Sequence, residues 1–212
     1  MEEFVPIVLR SLAVSLAATG FAIAIGLPLA AALALGRWPG RPIVVVMVNA
    51  LLGLPPVVVG LVLYLLLSRQ GALGVLGWLF TPGAMVLAQT VLATPIVAAL
   101  AHRAIEGRWR RYGPTMQAAG ASRWRALPHL VRMAARGVAT AVLAGFGRTV
   151  SEVGAVLVVG GNIAGFTRTM TTTITLETSK GNLDLALGIG LVLIGISVAV
   201  SATVLVLAGE RR

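Results

Sequence analysis

Five long apolar stretches, set apart by connectors holding glycine, proline and charge, limit what this chain can fold into more than any other feature. They run from Ser11 to Leu35, Ile43 to Leu67, Gly83 to Ala101, Val138 to Gly160 and Leu183 to Leu207. A helix crossing about 30 Å of hydrocarbon at about 1.5 Å per residue needs about 20 apolar residues, and each stretch is close to or above that length. A backbone in lipid must satisfy its own hydrogen bonds, so the fold class is expected to be all-α integral membrane, with about five transmembrane helices in one transmembrane domain over residues 1–212. Composition agrees: 11% of residues are charged, too few to cover a soluble core of this size.

The connectors run from Gly36 to Pro42, Ser68 to Pro82, His102 to Gly137 and Gly161 to Asn182. Counting their basic residues with those near the termini puts twelve on one side, among them Arg37, Arg41, eight arginines between His102 and Gly137, Arg211 and Arg212. The other side has four: Arg10, Arg69, Arg168 and Lys180. Cytoplasmic loops collect positive charge, so the N-terminus is expected outside and the C-terminus inside, with a cytoplasmic segment at about residues 102–137 between the third and fourth spans. A multi-pass protein of the cell's inner (cytoplasmic) membrane follows. Topology also accounts for the net charge of +10, so no nucleic-acid partner is expected. The start, Met1-Glu2-Glu3-Phe4, lacks the basic region of a cleaved leader, and the first apolar run is expected to remain as a membrane helix.

Several chemistries are missing. There is no cysteine, which removes disulfides, thiolate metal sites and thiol nucleophiles. His102 and His129 are read as loop histidines rather than metal ligands. Gly160 and Gly165 have the glycine spacing of a phosphate-binding loop, but Phe166-Thr167 stands where lysine and a hydroxyl residue would hold phosphate and magnesium. No catalytic residue, metal site or cofactor is expected in this chain.

Within the spans, Pro28, Pro55-Pro56 and Pro95 should kink or end helical turns, Pro55-Pro56 most sharply. Met170 to Ser179, inside a long connector, could form a short surface helix or a re-entrant turn. Glu152 lies deep in the fourth span, where a bare carboxylate is costly, and Arg148 precedes it by four residues on the same helical face. An ion pair within the bundle and a lining for an aqueous path are both open readings.

The most informative connector segment is Arg108-Trp109-Arg110-Arg111 through Gly120-Ala121-Ser122-Arg123-Trp124-Arg125-Ala126-Leu127. Gly120 can end one helix and Ser122 can N-cap the next. Trp124 and Leu127 would then share an apolar face on a short basic helix, before Pro128 disturbs it. Such a helix could lie on anionic lipid or serve as a knob for a cytoplasmic partner.

Gly120-Ala121-Ser122-Arg123-Trp124, in a basic loop two spans before the C-terminus, resembles the coupling loop of permease subunits in binding-protein-dependent ABC importers. Pro114-Thr115-Met116 stands where that family has Glu-Ala-Ala, so the role of its glutamate passes to no residue here. A second region resembles the molybdate/tungstate permease group, closest to the tungstate type. It comprises Phe146 to Ala155, Val159 to Gly165, Thr167 to Thr172 and Leu176 to Gly181, and Leu54-Pro55-Pro56-Val57-Val58 agrees with it.

The resemblance implies a non-catalytic permease that pairs with a second copy of itself around one oxyanion pathway, for tungstate first and molybdate or sulfate as alternatives. Cytoplasmic ATPase subunits would hydrolyse ATP and an external substrate-binding protein would deliver the anion. Gly120, Ala121, Ser122, Arg123, Trp124 and Leu127 are the candidates for ATPase coupling. Arg148, Ser151, Glu152, Asn162, Thr167, Arg168 and Thr171 are the pathway candidates, the last four of these offering amide, hydroxyl and guanidinium donors suited to an oxyanion. A freestanding membrane enzyme, or a scaffold whose basic loop holds lipid, is the reading from another class.

Overall fold

A computed structural model describes residues 4–209; Glu2, Glu3, Arg211 and Arg212, which enter the leader and charge readings, lie outside the described residues. The described elements are helical: α1 (Phe4–Leu35), α2 (Arg41–Ala50), α3 (Pro56–Leu67), α4 (Pro82–Ala118), α5 (Arg123–Met133), α6 (Ala135–Val150), α7 (Gly154–Gly160), α8 (Met170–Ser179) and α9 (Leu183–Gly209), with short 3-10 turns at Leu51–Gly53 and Gly74–Leu76. α1, α4 and α9 are each long and apolar enough to cross a membrane alone. Counting the bent pairs α2–α3 and α5–α6 as one span each raises the number to five.

The expected boundaries shift where local chemistry overrides apolar length. In the second stretch Pro55 and Pro56 both lack an amide proton, and Pro55 is forced extended (ψ 121°), so α2 and α3 meet at a bend of 101°. Pro28 and Pro95 lie within unbroken α1 and α4, and Pro128 does not stop α5, which continues to Met133. The third stretch also outruns its expected end. α4 continues through His102 to Ala118, so half of the expected connecting loop is helix and both histidines are helical residues.

The fourth stretch is broken. Ser151 Oγ donates to the Gly147 carbonyl at 2.7 Å and the Glu152 amide to the Thr149 carbonyl at 3.3 Å, tightening the last turn of α6 until it stops at Val150. Glu152 therefore stands between two helices rather than inside one. Met170–Ser179 does form a helix, but Met170, Thr171, Thr172, Thr173 and Glu177 are buried, so it is not a surface helix.

Contacts within the chain gather into two units, described separately. The first comprises Met1–Gly20, Leu54–Ala93 and Phe146–Val200. Its core joins Val14, Leu63, Leu67, Met85, Leu92, Val156 and Val159. α3 and α7 pack closely because Gly60 has no side chain: a Cβ there would stand 2.9 Å from the Ala155 Cα. A hydroxyl seam crosses the same unit, with Thr19 and Thr149 hydroxyls 2.9 Å apart and Thr149 reaching the Ser15 carbonyl. Bonds of this kind let helices in lipid associate where apolar burial gives little drive.

The second unit comprises Phe21–Gly53, Thr94–Gly145 and Ser201–Arg212. Leu35, Ile105, Trp109, Ala126 and Leu130 form its main core, binding the ends of α1 and α4 to α5.

Candidate functional site

In the first unit the candidates gather around the α6–α7 break. Glu152 is 4% exposed. Its Oε1 accepts the Ala155 amide at 3.0 Å, which caps α7, and its Oε2 stands 3.5 Å from Arg148 Nη2. The Thr171 hydroxyl donates to the Glu152 carbonyl at 2.9 Å. One residue thus ties α6, α7 and α8 together. Arg148, whose side chain is 32% exposed, keeps guanidinium protons on the open side of the pair. Ser151 is exposed, with its hydroxyl returned to its own helix.

Asn162, Thr167 and Arg168 belong to the loop from α7 to α8. Thr167 is fully buried; its hydroxyl donates to the Gly160 carbonyl at 2.5 Å and accepts the Ile163 amide at 2.9 Å. That makes it the clasp of the loop rather than a free donor. Asn162 holds a left-handed conformation (φ 49°) that asparagine tolerates better than most side chains. The carbonyls of Gly165 and Arg168 receive the Arg10 guanidinium at 2.6 and 3.1 Å, which fastens the loop to α1. Of the seven pathway candidates, the structure brings Arg148, Ser151, Glu152 and Thr171 together. The other three stand along the neighbouring loop.

In the second unit the coupling candidates form a helix–turn–helix. α4 ends at Ala118, the Gly120 amide donates to the Gln117 carbonyl and the Ala121 amide to the Met116 carbonyl. Gly120 has φ +83°, a conformation that costs other residues about 1–2 kcal/mol. Ser122 Oγ then accepts the Arg125 amide at 3.4 Å and starts α5. Leu127 is half-buried against the core, whereas Trp124 is 55% exposed. The two line an apolar groove of about 390 Å³ with Leu27, Pro28, Ile105 and Val138. Arg123 turns the other way, toward α1 and α4.

This geometry meets an independent comparison. Residues 11–212 match the family described as the inner membrane component of binding-protein-dependent transport systems. The chain belongs to that family. It is 41% identical over 179 residues to a probable anion ABC transporter permease of Haloferax volcanii, covering 82% of this chain and 77% of the relative. It is 35% identical over 171 residues to the tungstate uptake permease TupB of Peptoclostridium acidaminophilum, with 79% and 74% covered. To the molybdenum transport permease ModB of Escherichia coli it is 30% identical over 175 residues, with 79% and 76% covered. As a member of the molybdate/tungstate permease group, it is a multi-pass protein of the inner membrane and an ABC permease subunit.

Sequence reasoning missed a second charged cluster in this permease. Glu106 receives Arg41 at 2.6 Å and Arg110 at 3.2 Å, and stands 3.7 Å from buried His102. The signal was present in the spacing, because His102, Glu106 and Arg110 fall four residues apart and share a helical face. Reading that stretch as a loop concealed it. Asp184 also falls within the expected fifth span, in the first turn of α9, where a carboxylate suits the helix dipole.

Proposed function

We propose that this permease subunit forms the pathway for an oxyanion, tungstate first, as one of two identical copies in an ATP-driven importer. Its N-terminus lies outside and its C-terminus inside; separate ATPase subunits dock on the cytoplasmic face and a substrate-binding protein docks outside. No nucleotide chemistry falls to this chain. The observation that carries the reading is the Gly120 turn, which ends α4, starts an N-capped basic helix and leaves Trp124 55% exposed beside an apolar groove. An aromatic anchor of that kind suits a protein partner.

The choice of anion is supported by the substrates named for the tungstate and molybdenum permeases to which the chain is similar. Arg148 adds physical sense. A guanidinium already facing a carboxylate can offer its remaining protons to a passing oxyanion without holding it as tightly as an unpaired arginine would. The test is reconstitution in proteoliposomes with the ATPase and binding protein encoded beside it. ATP-dependent uptake of tungstate, exceeding that of molybdate and sulfate at equal concentration, is the expected result. Preference for molybdate or sulfate would reassign the anion, and no ATP-dependent uptake of any of the three would overturn the reading.

A further inference from the structure

The C-terminal end of α1 is held in a socket of two arginines. Arg41 Nε donates to the Leu33 carbonyl at 2.6 Å, and its Nη2 is fixed by Glu106 on α4 at 2.6 Å. Arg123 Nη1 donates to the Leu35 carbonyl at 3.2 Å, while its guanidinium lies 5.1 Å from the centre of the buried Trp109 ring on α4. The last carbonyls of a helix lack partners within it and carry the negative end of its dipole, so two cations there satisfy both needs.

The two arginines differ in where they originate. Arg41 opens α2, but Arg123 is the first residue of α5, the helix that carries Trp124. One residue therefore presents its neighbour's indole to solvent and grips the end of a 32-residue helix with its own side chain. A planar guanidinium can stack on a ring and donate in its own plane at the same time. A lysine ammonium cannot do both.

We propose that Arg123 is a positioning residue that links α5 mechanically to α1, so that displacement of the coupling helix by a cytoplasmic partner is passed to a membrane helix. This rests on the reading of the chain as an ATP-driven permease, and goes beyond it by separating two roles within five residues. Trp124 meets the partner, and Arg123 transmits. The alternative for Arg123, a second contact on the partner surface, conflicts with its inward direction.

The experiment uses the complete transporter in proteoliposomes and reads tungstate moved per ATP hydrolysed, a ratio from which weaker ATPase association drops out. Arg123→Ala should lower that ratio about fivefold or more, the low end of coupling between distinct sites. Arg123→Lys should lower it too, because it cannot both stack and donate. Spin labels at Arg37→Cys and Arg125→Cys, in a chain without native cysteine, should keep one mutual distance with and without ATP. A ratio in Arg123→Ala within about twofold of the parent, or a label distance that changes by more than about 2 Å, the scale of a helix shift, overturns the proposal. Should Arg123→Ala fail to fold, Arg123→Lys and the label pair decide. Absence of ATP-driven uptake by the parent defeats the functional reading and this proposal with it, whereas normal parent uptake with an unchanged ratio defeats this proposal alone.

Discussion

Replacing Glu152 by alanine removes two interactions of unequal size, and the structure allows each to be weighed. The first is the cap on α7: the Ala155 amide, in a fully buried residue, loses its acceptor at 3.0 Å. Losing a side-chain N-cap costs about 1 kcal/mol, within a range of about 0.5–2. The second is the pair with Arg148, at 3.5 Å and with the arginine about one-third exposed, which limits its worth to about 1 kcal/mol or less. Together Glu152→Ala should destabilise the detergent-solubilised protein by about 2 kcal/mol. Glu152→Gln keeps an oxygen for the Ala155 amide and gives up only the charge, so its cost should stay below about 1 kcal/mol. The double change Arg148→Ala with Glu152→Ala should lie close to Glu152→Ala alone, because the cap is the larger loss. Thermal midpoints followed by size-exclusion fluorescence order the three variants. If Glu152→Gln were as damaging as Glu152→Ala, charge rather than capping would be the dominant contribution, and the role given to Glu152 at the α6–α7 break would be wrong.

Trp124→Ala should weaken association with the ATPase by about thirtyfold, the equivalent of about 2 kcal/mol, with little change in thermal stability because the indole is largely exposed; unchanged association in a detergent pull-down would favour the lipid-surface alternative. For the orientation, Val75→Cys, at a fully exposed turn residue, should react with an impermeant thiol reagent from outside, and Ala118→Cys from inside; the opposite pattern would reverse the topology. Glu177 accepts from the Asn182 amide at 2.7 Å and from Lys180 at 2.7 Å, and these bonds hold its carboxyl below the usual glutamate range. A depressed carboxyl stabilises the folded state above its unfolded pKa of about 4.3, and that contribution fades as pH falls through the folded value. Melting curves of the parent and Glu177→Gln should therefore separate near neutral pH and converge in acid; a constant separation would refute the assignment.

The membrane class and the coupling turn were legible in the sequence because both depend on local rules. Apolar length marks a span regardless of what packs against it, and the run from Gly120 to Ser122 specifies its own geometry through a residue that tolerates positive φ and a hydroxyl that caps. Helix continuity was less legible. Pro28, Pro95 and Pro128 sit inside helices that persist, while Pro55-Pro56 produces a bend of 101°, since two adjacent imino residues remove two donors and force the intervening backbone extended.

What escaped was the identity of each side chain's partner, which depends on contacts across the fold. Thr167 and Thr171 were grouped as external hydroxyl donors, yet each makes a buried bond to a main-chain carbonyl, of Gly160 and Glu152 respectively. Hydroxyl residues in lipid-facing proteins commonly resolve this way, because an unbonded carbonyl at a helix break costs more than the freedom of a threonine side chain. The same logic explains the break beside Glu152. A continuous helix would have needed no cap and would have left a carboxylate in hydrocarbon; stopping α6 at Val150 gives that carboxylate an amide to accept and an arginine to face. The costly residue and the interrupted helix are thus one feature, and Arg148, held at its edge with donors to spare, is where an anion would gain most from it.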